Sequence, residues 1–588
     1  MTLPKEIIVQ QNVPAEMRDG TTLVADVYRP GGKASDGEYP VLLTRQPYGK
    51  ELPTVTSYLN AARAAGRGYI VVIQDVRGRF GSEGEWNPSI HEFEDGYDTV
   101  EWAATLPGSN GDVGMYGASY FGMTQWQAAV MRPPSLKSMA PGITWGNYLN
   151  GAQFRGGVRE LGLRIYWWES VLALDSLFRR YRKDREKLEE LLSAHVDVID
   201  NLPEEYGILP LKDLPDPGGV LPNMFEALDL GIADDVWEYL NIDGRYGDVE
   251  VPTFHIGCWY DVFLGETLRQ YEAMKEVAAE RGSMPPRLLV GPWTHTTTFP
   301  SMVGDLDFGL ASSGLFLNCR ADMTDYHLRW FDATLKGDEG SLYGEPPVEV
   351  FVMGENRWRG YEEWPVHGSR EEKWYLHAGG VLSREAPADN AGDAPDEYDY
   401  DPKDPVPTVG GALLMPGVYR AGARDQQPIE ERQDVLVYTS EELAEDYTAI
   451  GNVHATLYAA SSAPDTDFVA RLVDVFPDGR AIGVTDGIIR ASARESYPSP
   501  GVIEPVEPSP IVPGEIYEYV IDLWATGITF EVGHRLRVEV TSSSFPRWDR
   551  NLNTGEDTRD SSRSEVARQR IFHDPDRPSS VTLTVVEV

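Results

Sequence analysis

The sequence predicts a mostly parallel α/β sheet interrupted by a helical cap insertion and followed by an all-β domain. Short apolar runs alternate with helical stretches from the N-terminus to about Thr144, and the same alternation resumes at Val251 and continues to about Gly354. Between these two parts, from about Trp145 to Gly247, the periodicity is helical; from Asp434 onward short alternating strand patterns dominate. At 588 residues the chain is too long for one core. The predicted units are 1–145 with 248–355 for the sheet domain, 146–247 for the cap, and 356–588 for a β-sandwich domain. The last includes an acidic, Pro-rich and Gly-rich linker at 384–407.

In chain order, Leu23 to Val27, Val41 to Thr44 and Tyr69 to Gln74 read as strands. Val113 to Tyr116 reads as a strand end and Ala118 to Met131 as a helix, so the chain turns sharply between them. Gly117 and Gly122 are placed to relieve crowding there. Leu174 to Ile199 has helical periodicity, and its charge run from Phe178 to Leu188 reads as a solvated helix face. Val251 to Ile256 and Arg287 to Gly291 have the apolar look of buried parallel strands. Arg384 to Pro407 reads as a loop without the Asp-x-Asp-x-Asp-Gly spacing of a calcium site. Ala455 to Ala459, Phe468 to Phe476, Tyr517 to Leu523 and Arg535 to Val540 supply the later strands, and no internal repeat is visible.

Three side chains follow strand-like runs directly: Ser119 in Met115-Tyr116-Gly117-Ala118-Ser119-Tyr120-Phe121-Gly122, Asp261 in Gly257-Cys258-Trp259-Tyr260-Asp261, and His295 in Val290-Gly291-Pro292-Trp293-Thr294-His295. A hydroxyl attacks carbonyls when it is exposed, oriented and next to a base. The order Ser, Asp, His is the one α/β-hydrolases use. Taken singly, each has a plainer reading, as a turn serine, a loop aspartate and a surface or capping histidine. The elbow also departs from Gly-x-Ser-x-Gly, because Phe121 holds the second glycine position and Gly122 follows it.

The chain resembles the serine hydrolase family that includes cocaine esterase and X-Pro dipeptidyl-peptidase, from about Met17-Arg18-Asp19-Gly20 to near the C-terminus. The stretches that carry the likeness are Val41-Leu42-Leu43-Thr44-Arg45-Gln46-Pro47-Tyr48, Val72-Ile73-Gln74-Asp75-Val76-Arg77-Gly78, the elbow continued through Thr124 to Val130, and Phe545-Pro546-Arg547-Trp548-Asp549-Arg550-Asn551. Gly-x-Ser-Tyr-x-Gly is this family's form of the elbow. The resemblance implies an α/β-hydrolase fold with a C-terminal jelly roll. It implies Ser119 as nucleophile, His295 as base and Asp261 as its orienting carboxylate. The backbone N–H of Tyr120 and the phenol of Tyr48 are implied as oxyanion donors, although a Pro-Tyr-Gly turn would look the same without catalysis.

Trp167 and Phe263 match positions where cocaine esterase-like members build an aromatic acyl pocket, and Leu414 matches a wall residue from the β domain; plain core packing is the alternative for each. Relatives acting on α-amino acid esters carry acidic residues after the triad aspartate. Here Val262-Phe263-Leu264 follows, which disfavours cationic substrates. The expected activity is hydrolysis of esters of bulky or aromatic acids through an acyl-enzyme. An amidase, dipeptidyl-peptidase or β-lactam side-chain acylase using the same triad is the nearest alternative, and a non-catalytic carbohydrate-binding protein a remote one.

The composition narrows the partners. With 52 basic and 93 acidic residues the net charge is -41, and only 11 of the basic residues are Lys. Such a surface repels nucleic acid and anionic membranes, leaving a small-molecule ester or amide as the expected partner and a homo-oligomer open. The excess acid predicts function in concentrated salt, where screening shortens to roughly 3 Å; ordinary solubility with a preference for Arg over Lys is the alternative. Thermal stability and activity that both fall as KCl rises from about 0.1 to 2 M would exclude salt adaptation. Two cysteines and ten scattered histidines give no disulfide framework or metal-ligand spacing, so no cofactor is expected. The opening Met-Thr-Leu-Pro-Lys-Glu lacks a leader pattern and no 18-residue apolar run occurs, so a soluble, cytoplasmic protein is expected.

Overall fold

The computed structural model describes residues 6–52, 58–296, 300–388 and 394–587. The first ten strands considered are β1 (Ile7–Glu16), β2 (Thr22–Pro30), β3 (Tyr39–Gln46), β4 (Ile70–Asp75), β5 (Ser109–Ala118), β6 (Leu136–Gly142), β7 (Phe254–Tyr260), β8 (Arg287–Thr294), β9 (Val348–Val352) and β10 (Arg357–Tyr361). They form one sheet in the order β1-β2-β4-β3-β5-β6-β7-β8-β9-β10. From β4 across to β9 the neighbours pair in parallel, and β1, β2 and β10 add antiparallel edges.

Strands β4 and β7 are buried along their whole length, which is why they read as continuous apolar runs rather than alternating ones. Strand β7 starts at Phe254 rather than Val251. Pro252 can donate no ladder hydrogen bond, so the regular strand begins beyond it. Strand β1 opens on the β-branched run Ile7-Ile8-Val9 but is mostly exposed, and it is held by its pairing to β2. The order reverses at β3, whose neighbours β4 and β5 lie on opposite sides. Crevices at the carboxyl ends of strands open at such a reversal. Tyr48 lies just past β3 and Ser119 just past β5.

The region between β6 and β7 is mainly helical, with α1 (Leu161–Tyr166), α2 (Ala173–Tyr181) and α3 (Arg185–Asp200) as its leading elements. The single helical stretch expected from Leu174 to Ile199 is therefore two helices. Asp184 leaves helical geometry, and its carboxylate accepts the Lys187 N–H to cap α3. The expectation of a purely solvated charge run also needs correction. Arg179 donates to the carbonyls of Phe80, Ser82 and Gly84, fastening a loop of the sheet domain to the cap. Arg185 and Lys187 do face solvent, paired with Glu189 and Glu190.

The C-terminal part is a β-rich, mainly antiparallel domain of eleven strands, its central Tyr447–Ser461 pairing with Tyr517–Phe530, Ala567–Phe572 and Ser580–Val585. The stretch at 384–407, expected to be loop or linker, holds a strand at Asp396–Tyr400 that pairs with Ala567–Phe572. Its acidic residues hide a period-two pattern. Tyr398 and Tyr400 both turn inward, their hydroxyls bonded to Ser542 Oγ and the Asn551 carbonyl. Residues 389–393 of that stretch lie outside the described residues, as do residues 1–5 of the N-terminal segment. Among the described residues no helix is long and apolar enough to cross a membrane.

The segment from Phe545 to Asn551 clasps the start of α1. The Gly162 N–H donates to the Arg547 carbonyl at 3.1 Å, Trp548 Nε1 donates to the buried Glu160 carboxylate at 2.8 Å, and Arg547 is itself paired with Asp486 at 2.7 Å. A Cβ at position 162 would stand 2.2 Å from Met415 Sδ, so a glycine is needed for this close approach. The β domain thereby fixes the helix that turns Leu163, Arg164 and Trp167 toward the crevice.

Candidate active site

The turn after β5 is built for a strained serine. Ser119 has φ 57° and ψ -127°, a left-handed backbone that a non-glycine residue adopts only when its surroundings enforce it. Those surroundings are visible: the Ser119 N–H donates to the Gly142 carbonyl, Thr144 Oγ1 donates to the Ser119 carbonyl at 2.7 Å, and buried Gln125 donates to the carbonyls of Gly117 and Phe121. Glycine is required on both sides. A Cβ at Gly117, where φ is 136°, would lie 2.3 Å from the Phe121 ring, and one at Gly122 would lie 2.6 Å from Thr144 Cβ. Gly117→Ala is accordingly expected to destabilise the protein by at least about 2 kcal/mol, through overpacking and backbone strain together. An unchanged thermal midpoint for this variant would show that the elbow yields without cost.

Asp261 and His295 come from the ends of the next two strands but one. Asp261 follows β7 and is fully buried, and His295 follows β8. His295 Nε2 stands 2.9 Å from Ser119 Oγ, and His295 Nδ1 stands 2.6 Å from Asp261 Oδ2. The other Asp261 oxygen accepts the Phe263 N–H at 2.7 Å, so both carboxylate oxygens are committed. The Phe263 ring meets His295 edge-on at 5.2 Å between centroids. This continuous hydrogen-bonded chain can draw a proton from the serine hydroxyl and hold the resulting imidazolium against a buried carboxylate.

Two donors face the same side. Tyr120 opens the helix Tyr120–Ala129, where N–H groups of the first turn have no intrahelical acceptor. Its phenol is turned away into the core, donating to Glu92 and accepting from the Ser89 N–H, so only its amide is available. Tyr48 reaches Ser119 with its hydroxyl, which also accepts a hydrogen bond from Trp167 Nε1 at 3.1 Å. Burial pushes the phenol up to about 12, against the pull of the hydrogen bond from Trp167, so it stays protonated at neutral pH. Its loop is held by Tyr48 N–H to Gln46, by Lys50 N–H to Asp75, and by Arg79 to the Pro47 carbonyl.

These groups open onto a cavity of about 570 Å³. Of the residues singled out in the sequence, Ser119, His295, Tyr48, Trp167, Phe263 and Leu414 all line it, while Asp261 sits behind His295 and Tyr120 contributes its backbone at the elbow. Trp145 and Arg164 line it too and were not singled out. Trp145 packs on Phe263 at 4.7 Å and lies just past β6, a strand end of the kind that gathers functional groups. Arg164 was legible as the one charge in the run Leu161 to Trp168. Among the described residues no group of three or more His, Cys, Asp or Glu is placed to hold a metal ion.

Comparison with known proteins agrees across the whole chain. Residues 19–297 match the family described as X-Pro dipeptidyl-peptidase (S15 family), and residues 342–582 match the X-Pro dipeptidyl-peptidase C-terminal non-catalytic domain. Cocaine esterase of Rhodococcus sp. (strain MB1 Bresler) is 36% identical over 593 residues, covering 98% of this chain and 99% of that protein. Among solved structures, an alpha-amino acid ester hydrolase superposes with a TM-score of 0.78 at 24% identity, covering 100% of this chain and 98% of that one. An aminopeptidase from the marine sediment archaeon Thaumarchaeota archaeon gives 0.76 at 24% identity, covering 100% and 97%. At that identity these two structures speak for the fold.

Proposed function

The chain belongs to the X-Pro dipeptidyl-peptidase (S15) family of serine hydrolases, and from that premise we propose that it is an esterase acting on bulky or aromatic acyl groups. The observation that carries this reading is the chain Asp261–His295–Ser119, joined at 2.6 and 2.9 Å, opening into a cavity walled by aromatic and aliphatic side chains. His295 takes the Ser119 proton as the hydroxyl attacks the substrate carbonyl, and Asp261 holds the imidazole and stabilises its cation. The Tyr120 N–H and the Tyr48 phenol receive the developing oxyanion. The tetrahedral adduct collapses to the acyl-enzyme as His295 gives its proton to the departing alcohol, and water, deprotonated by His295, then attacks the acyl-enzyme to release the acid and regenerate Ser119.

Trp167, Phe263 and Leu414 form the walls that select the acyl group, with Trp145 beside Phe263. Among the described residues no acidic side chain lines the cavity, which favours neutral or anionic acyl groups over ammonium-bearing ones. The acidic surface argues against nucleic acid and anionic membranes as partners, and a cytoplasmic location is part of the same proposal.

Time courses with p-nitrophenyl acetate, butyrate and benzoate and the matching anilides test the reading, for wild type and Ser119→Ala. Ester turnover with a burst that the variant lacks is the expected result. Anilide turnover equal to or above ester turnover would replace the esterase by an amidase, the second reading that the peptidase members of the family favour. A Trp167→Ala variant is expected to reorder the three esters, and an unchanged ranking would remove Trp167 from the acyl pocket.

A further inference from the structure

Arg164 is a cation with no hydrogen-bonded or ion-pair partner among the described residues. It projects from α1 into the cavity that holds Ser119 and His295, and among the described residues its side chain makes no hydrogen bond and no ion pair. Its Nε is shut off from solvent with no acceptor. Several buried arginines are paired, Arg45 with Glu92, Arg77 with Asp95, Arg471 with Glu539, Arg490 with Asp467 and Arg547 with Asp486, and buried Arg155, which has no ion pair among the described residues, donates to the carbonyls of Asp486 and Asp522. With 93 acidic residues in the sequence, carboxylates are abundant, yet among the described residues none forms an ion pair with the Arg164 guanidinium. The carboxylate nearest in sequence, Glu160, attracts Arg164 electrostatically but forms no ion pair with it, one of its oxygens accepting from Trp548.

A partly buried guanidinium on an apolar wall loses hydration and recovers little of it without an ion pair, unless a ligand supplies the anion. Burial pushes Arg164 down to about 10, which leaves it charged at neutral pH. Its planar fork suits a carboxylate, accepting two parallel hydrogen bonds, better than any neutral acceptor. Of the described side chains lining the cavity, Arg164 is the one fixed cation, and there is no carboxylate among them to oppose an anionic ligand.

We propose that Arg164 is a specificity-determining residue that binds a carboxylate of the substrate, so that the preferred esters carry a free acid group besides the scissile bond. This rests on the hydrolase reading above and adds the substrate class: apolar body against the aromatic walls, carboxylate on Arg164, ester carbonyl at Ser119. The carboxylate sits either on the acyl part, as in a monoester of a dicarboxylic acid, or on the leaving alcohol.

The test compares kcat/KM for mono-p-nitrophenyl adipate against p-nitrophenyl hexanoate, and for 4-acetoxybenzoate against its methyl ester. The first pair places the acid on the acyl side and the second on the leaving side. In wild type one of these ratios is expected to exceed unity by about tenfold or more, the size of effect a charge-assisted pair supports. In Arg164→Gln that ratio should fall by about the same factor, and Arg164→Lys should restore part of it. Ratios equal in wild type and Arg164→Gln, or below unity throughout, overturn the proposal. If no ester is turned over at all, the hydrolase reading fails separately. Calorimetric titration of Ser119→Ala with monoethyl adipate and ethyl 4-hydroxybenzoate's parent acid, with and without Arg164→Gln, then decides the anion site: binding lost with Arg164 supports it, and absence of binding to Ser119→Ala overturns it.

Discussion

Asp261→Asn is expected to lower kcat for ester hydrolysis by about four orders of magnitude while leaving the fold intact. The reason lies in the second hydrogen bond of the carboxylate. Asp261 Oδ1 accepts the Phe263 N–H at 2.7 Å, and that amide can only donate. An asparagine at this position keeps its carbonyl oxygen on Phe263, so its NH₂ group must face His295 Nδ1. A donor there requires Nδ1 to be the bare acceptor, which puts the imidazole proton on Nε2, the nitrogen 2.9 Å from Ser119 Oγ. The base is then blocked by its own proton, and the geometry is otherwise unchanged. Steady-state kcat with p-nitrophenyl butyrate, together with the thermal midpoint, checks this. A loss smaller than about tenfold with a normal midpoint would mean that Asp261 does not set the tautomer.

The sequence revealed these groups because strand ends in a parallel sheet are marked twice, by a buried apolar run and by the polar residue that breaks it. Ser119, Asp261 and His295 each stand at such a break. The elbow glycines were legible for the same reason, since a turn that tight leaves no room for a Cβ at Gly117 or Gly122. What stayed hidden depends on contacts distant in sequence. Trp167 could be read as a pocket wall, but its hydrogen bond to Tyr48 spans 119 residues and has no local signature. The strand at Asp396–Tyr400 was masked by acidic and proline neighbours because its burial is set by Ser542 and Asn551 from the far end of the domain. The break between α2 and α3 turned on a single capping aspartate inside a helical pattern.

Tyr48 also explains why the cap and the sheet domain have to be read together. The phenol comes from the loop after β3, its hydrogen-bond donor Trp167 from the cap, and the β domain anchors the start of α1, six residues before Trp167, through Trp548, Arg547 and the Gly162 contact. A side chain in one unit is therefore positioned by a second unit that a third unit holds in place. Stacking of Trp167 on Tyr120 at 6.0 Å, with an interplanar angle of 27°, ties the same indole back to the elbow helix.

Tyr48→Phe is expected to lower kcat by about 10²–10³-fold, the usual consequence of losing one oxyanion donor. Part of that loss should be traceable to Trp167. A phenol oxygen that accepts a hydrogen bond becomes a stronger donor through its own O–H, because the two bonds polarise each other. Trp167→Phe keeps an aromatic wall but removes the N–H, and so should lower kcat by about tenfold with little change in KM for a small acetyl ester. The titration of Tyr48 moves in a predictable direction. Donation from Trp167 favours the phenolate and draws the phenol downward against burial, so without it the phenol rises above its value of about 12. Any alkaline loss of activity caused by ionisation of Tyr48 should then shift to higher pH in Trp167→Phe and be absent in Tyr48→Phe. Combining the two substitutions should cost no more than Tyr48→Phe alone, since the indole N–H acts only through the phenol. Fully additive losses would show that Trp167 contributes to the reaction by contact with the acyl group and that its bond to Tyr48 is incidental.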